Sequence, residues 1–423
     1  MKSRNKRHVQ RVKKLIVGCS LCAIILTVST YAWFIGMKTV NVSSFDVTIA
    51  AIDSLSLSLD GEHWSETVEI SKDTYNTNSY EGNTNSWGGD GLIPMSSVGD
   101  IDIASSRMIL FEKGSLTTTY GGYRLMASQV TNTVSGNAEQ KGYVVFDLFV
   151  KNLSGAEYYK DLNKLNEEAI YLSLDSAVTV AENGGEANTG IENSVRVAFA
   201  QIGRVKATTE TVSTITGINC TGGGDVTGIC ADRPAQIWEP NDKAHVENAI
   251  NWYTTSCAKR TGATVTDSGA YGSFGTCGEV KNGVAYNTYA VSGVIDEDDN
   301  VDVYDGADYN SYGGSTSATS AAGKLVAYDY FTDTEKNYEG TDRPTFITLA
   351  PNSITKIRVY IYIEGQDVDN YDFASLGKKI SVQFGFTKER FFDEDVDYNS
   401  SNTATLPDDV IRDNYPRVPS ASE

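Results

Sequence analysis

The chain has 423 residues, with 35 Lys and Arg against 55 Asp and Glu, six cysteines and 38 glycines, for a formal net charge of −20. That charge repels phosphate backbones, whose binding needs basic side chains to displace counterions, so nucleic acid is excluded as a partner class. An apolar fraction of 40% with 10% aromatics is enough to bury a core, which excludes wholesale disorder.

The chain opens with Lys2, Arg4, Lys6, Arg7, Arg11, Lys13 and Lys14 and no acid, followed by an uncharged run over 15–37. A basic stretch that stays on the cytoplasmic side, ahead of an apolar one that enters the bilayer, is an export signal over 1–37. Thr30 and Ala32 supply small residues at the −3 and −1 positions, which predicts cleavage between Ala32 and Trp33. Left uncleaved, the run is long enough to span and becomes an N-terminal membrane anchor. Signal peptidase and the export machinery are the partners this implies, and the location is secreted or cell surface. Cys19 follows Lys14 too closely for a lipoprotein site, so Cys19 and Cys22 read as small apolar positions. Residues 1–32 carry seven basic residues and no acid, so their removal leaves 28 basic against 55 acidic residues. An exported part this acidic stays soluble and favours divalent cations or basic partners.

Short alternating runs dominate from residue 38 onward. Phe45, Val47 and Ile49, then Leu55, Leu57 and Leu59, alternate with polar residues across a short break. The stretches 143–150 and 195–199 read as further strands, and 157–170 (EYYKDLNKLNEEAI) predicts one short amphipathic helix. At 357–364 the odd positions are apolar and β-branched and the even ones polar or amphipathic, the period of a strand with one wet face. Ile380, Val382, Phe384 and Phe386 repeat that pattern, and the acidic stretch 364–372 between them reads as a turn. The fold class expected is all-β: a jelly-roll or Ig-like antiparallel sandwich over 38–207 plus 344–390. A Gly/Ser/Thr/Asp-rich, disulfide-containing insertion or second lobe takes 208–343, and an acidic tail takes 391–423.

The insertion holds Cys220, Cys230, Cys257 and Cys277. Four cysteines in an oxidising compartment allow three pairings, of which closure of Cys220 to Cys230 and Cys257 to Cys277 is the simplest. Their spacings supply no CxxC knuckle for zinc. Asp296, Asp298, Asn300, Asp302 and Asp305 place oxygens at close intervals, as calcium prefers, without the EF-hand's glycine and terminal glutamate. The same run also fits a solvated acidic loop, and no other cofactor is expected. Trp238, His245 and Trp252 lie close in sequence and form the first candidate for a ligand pocket, for a glycan or a host protein. His63 and His245 are the histidines left after export. No HExxH or GxSxG motif accompanies them, and Asp267-Ser268-Gly269 reads as a turn, so the chain is not expected to be an enzyme.

Three short motifs carry a family resemblance. Thr30-Tyr31-Ala32-Trp33-Phe34 at the export junction, Phe149-Val150-Lys151-Asn152-Leu153-Ser154-Gly155 and Leu349-Ala350-Pro351-Asn352-Ser353-Ile354 resemble the camelysin/TasA group of secreted fibre proteins of Gram-positive bacteria. The resemblance implies cleavage by a dedicated signal peptidase, a jelly-roll-like sandwich, and self-assembly into filaments through an N-terminal strand lent to a neighbour. Residues 41–49 (NVSSFDVTI) suit that role, and they equally suit pairing within their own subunit. The expectation is an exported cell-surface or biofilm-matrix structural protein. The alternative is a surface adhesin that binds glycan or protein through 208–343.

Overall fold

The structure is a computed structural model that describes residues 42–51, 54–70, 80–88, 91–119, 122–133, 139, 142–154, 156–181, 190–241, 244–249, 288–291, 325–328, 345–365, 367, 369–370 and 378–388. These residues are mostly strands, arranged in one twelve-stranded sheet, one six-stranded sheet and a two-stranded ribbon. The fold is all-β.

Ser353–Glu364 is the central strand of the larger sheet. Val144–Asn152 and Val195–Lys206 pair with it antiparallel on either side, so that Phe146 and Phe199 both lie opposite Val359. In the smaller sheet Lys378–Thr387 runs parallel to Val42–Ala51 and antiparallel to Glu168–Leu172 and Ala177–Val180. Val42–Ala51 pairs on its other side with Thr67–Ile70. The strand suited to exchange with a neighbour is therefore held on both sides within its own chain.

Period-two alternation places Ile357, Val359, Ile361 and Ile363 on one face of the central strand. They share one core with Val47 and Ile49 from the chain start and with Ile380, Val382, Phe384 and Phe386. Phe199 anchors this core, its ring meeting Phe346 at 4.6 Å and Phe384 at 5.0 Å, both edge to face. Such aromatic pairs add about 0.5–1.5 kcal/mol each beyond the area they bury.

The expectation of a wet face on the central strand is corrected, because every residue of Ser353–Glu364 is buried. Tyr360 and Tyr362, on the face opposite the shared core, pack with Met95, Met108, Ile218 and Ile237 in a second apolar cluster. That cover comes from segments between residues 93 and 110 and from 212–238, the early part of the region read as an insertion. Gln236–Trp238 pairs with Val197–Phe199, and Thr227–Gly228 pairs with Gly203 and Arg204. Cys220 and Cys230 form a disulfide within this layer, both side chains buried. Gly228 is required there, since a Cβ would fall 1.9 Å from the Cys220 carbonyl oxygen.

The expected helix over 157–170 is corrected as well. A single 3-10 turn, Lys164–Asn166, forms where the Asn163 side chain accepts the Leu165 N–H at 3.0 Å. The chain then extends into Glu168–Leu172, whose Ile170 and Leu172 fill the shared core. Glu167 decides the outcome. It is fully buried between Arg204 and Arg233, and a continuous helix would not deliver it there while keeping Ile170 in register with Ile347. Tertiary pairing overrides the helical composition.

Candidate functional site

Among the described residues, three clusters of charged side chains are buried among the strands. The first lies on the outer face of the larger sheet, where Asp147 stands opposite Arg358 in the strand register. Arg358 Nε and Nη2 donate to the two Asp147 oxygens at 2.8 and 3.1 Å, and Nη1 donates to the Ser106 carbonyl at 2.9 Å. Lys356 Nζ lies 3.5 Å from Asp147 and donates to the Thr216 carbonyl, and the Tyr80 hydroxyl donates to Asp147. Burial alone would raise the Asp147 pKa, but the Arg358 and Lys356 charges outweigh it and hold the carboxyl below its ordinary range. Burial pushes the Lys356 amine down despite Asp147. Nearby, Glu139 accepts from Tyr143 at 2.5 Å and Tyr360 at 3.3 Å, and its burial raises its pKa.

The second cluster depends on a bulge. The register between Val195–Lys206 and the central strand shifts between Gln201 and Gly203. A one-residue shift reverses side-chain parity. Arg204 therefore leaves the face that Arg196 occupies and meets Glu167 at 2.5 Å. Arg233 binds both oxygens of Glu167 at 2.7 and 2.8 Å, and Thr348 donates to it at 2.6 Å.

The third cluster gathers metal-ligating side chains at the end of the central strand. Past Glu364 the chain turns, placing Asp367 and Asp369 inside the protein at 4% and 0% exposure. Arg196 Nη2 donates to Asp367 Oδ2 at 2.8 Å, and the Asp369 N–H donates to Asp367 Oδ1 at 2.9 Å. His245 Nδ1 lies 2.8 Å from Asp369 Oδ2, and the Val246 N–H donates to Asp369 Oδ1 at 3.0 Å. Glu239 and Glu364 add two more buried carboxylates to the field around Arg196. Burial first, and the Asp369 charge with it, push Asp367 up to about 6 against the pull of Arg196. The hydrogen bond to Asp369 raises His245 above its ordinary value. One donor atom each from His245, Asp367 and Asp369 lies within 4.8 Å of the others, an arrangement able to hold a divalent cation.

Two of the three residues grouped as a pocket lie among the described residues. Trp238 is fully buried in the core shared by the two sheets. His245 is directed to Asp369, and Trp252 lies outside the described residues. Ala32 and Trp33, Cys257 and Cys277, and the calcium candidates Asp296, Asp298, Asn300, Asp302 and Asp305 also lie outside them. His63 sits at the surface, 2.6 Å from Asp60. Among the described residues, no helix is long and apolar enough to cross a membrane. Asp147 and Arg358 escaped sequence reading although each is a lone charge in a run of apolar residues, the mark of a buried partner across the ladder. Comparison of the chain with protein family models, curated proteins and solved structures gave no match.

Proposed function

We propose that the chain is an exported structural protein of the cell surface or extracellular matrix, a jelly-roll or Ig-like β-sandwich that serves as a fibre subunit. The observation that carries this reading is the Cys220–Cys230 bridge, closed inside the covering layer of an all-β fold. Disulfides persist in oxidising compartments. The basic and apolar N-terminal run supplies the route to one.

Val42–Ala51 supports the assembly part of the reading. It follows the export segment directly and pairs with a strand on each side, with Val47 and Ile49 filling core positions. In the exchange that the family resemblance implies, the same strand of one subunit occupies this place in the next, keeping the hydrogen bonds and the two core side chains. N-terminal sequencing of the protein from its native producer, with electron microscopy of the same sample, tests the proposal. A start at Trp33 together with filaments is the expected result. A start at Met1 or Lys2, with single particles held in membranes, would overturn it in favour of an anchored surface domain.

A further inference from the structure

We propose that His245, Asp367 and Asp369 form a binding site for a divalent transition-metal cation of the zinc class. The three donors come from two distant segments and converge at the end of the central strand, one atom of each within 4.8 Å of the others. Tetrahedral zinc with bonds of about 2.0–2.2 Å needs neighbouring donors about 3.3 Å apart. The His245 Nδ1 to Asp369 Oδ2 separation of 2.8 Å is close to that, and closing the whole set is a side-chain adjustment of up to about 1.5 Å.

Three features set this group apart from an ordinary acidic patch. One donor is an imidazole, which selects zinc-class ions over calcium or magnesium. Both carboxylates are interior rather than solvated, while His245 keeps 13% of its side chain exposed and so borders the entry from solvent. Groups outside the donor set already orient it. Arg196 holds Asp367, and the Val246 N–H and Asn193 side chain hold Asp369, the outer support that metal ligands characteristically have. Position 190 keeps the wall open, since a Cβ on Gly190 would lie 2.6 Å from Asp369 Oδ1.

The inference does not depend on the fibre reading, and its test separates the two. The full protein, stripped with chelator, is equilibrated with Zn2+ under excess Mg2+, which occupies solvated carboxylates, and bound metal is counted after dialysis. One equivalent retained, with a raised melting temperature, is expected. His245→Ala should weaken retention at least about tenfold, and Asp369→Asn should do the same. Because Asp369 is interior, His245→Gln serves as the variant that keeps the fold, and it should also lose the ion. The surface variant His63→Ala should retain it. No stoichiometric Zn2+, or retention unchanged in His245→Ala and His245→Gln, would overturn the proposal, as would loss of the ion in His63→Ala.

Discussion

The two faces of the central strand are equally closed to water and are built by opposite means. Toward the smaller sheet, Ile357, Val359, Ile361 and Ile363 pack in the shared apolar core. On the other face, Lys356 and Arg358 are buried and held by Asp147 and backbone carbonyls, Tyr360 is held by Glu139, and Tyr362 packs in the second cluster. The difference teaches where the fold is tolerant. An apolar face responds to lost volume by degrees, whereas a charged face fails when one partner is removed, because the other is left desolvated without compensation.

The largest effect should therefore come from Asp147→Ala, which strands both Arg358 and Lys356. A loss of about 3–5 kcal/mol is expected in denaturant unfolding. Replacing Asp147, Lys356 and Arg358 together by Leu, Met and Met should recover most of that loss, since neither cation is then left without its carboxylate. Acid should not mimic the single substitution until it is strong. The folded pKa of Asp147 lies below the ordinary 3.8, so the carboxylate's contribution is complete above that value and is lost only as pH falls through the lower folded one. Next in size is the Cys220→Ser, Cys230→Ser pair. Opening a loop of this length should cost about 2–3 kcal/mol, read as a lowered unfolding midpoint against the oxidised parent.

On the apolar face, Ile361→Val should cost only about 0.5–1.5 kcal/mol by the same unfolding measurement. The smallest effect concerns pH at the third cluster. His245 has a folded pKa raised by its Asp369 hydrogen bond, so its contribution is full below 6.5 and fades as pH rises through the folded value. The hydrogen-exchange protection factor of the Val246 amide, which donates to Asp369, should fall over that range. His245→Ala should abolish the dependence.

Alternation made most of the framework legible. The runs at 144–150, 195–199, 357–364 and 380–386 are strands, and alternate residues of each line the shared core. The Cys220 to Cys230 pairing followed from chain proximity. What sequence could not show was the second cover over the larger sheet, because the covering residues lie more than a hundred positions from the strand they bury. Arg358, Tyr360 and Tyr362 looked solvated for that reason. The third cluster was hidden differently. Asp367 and Asp369 sit in an acidic stretch that reads as a turn, and only long-range placement against Arg196 and His245 makes those acids interior. The 157–170 segment misled because its composition favours a helix, while Glu167 is claimed by two arginines from elsewhere in the chain.

Hydroxyl-radical footprinting of the tyrosines tests the closed, charged face most directly. Tyr360 and Tyr362 have no exposure, whereas Tyr159 is 44% exposed and provides the internal reference. The account predicts oxidation of Tyr159 with Tyr360 and Tyr362 protected in the native protein and all three labelled after unfolding. Labelling of Tyr360 and Tyr362 at the rate of Tyr159 in the native protein would contradict it.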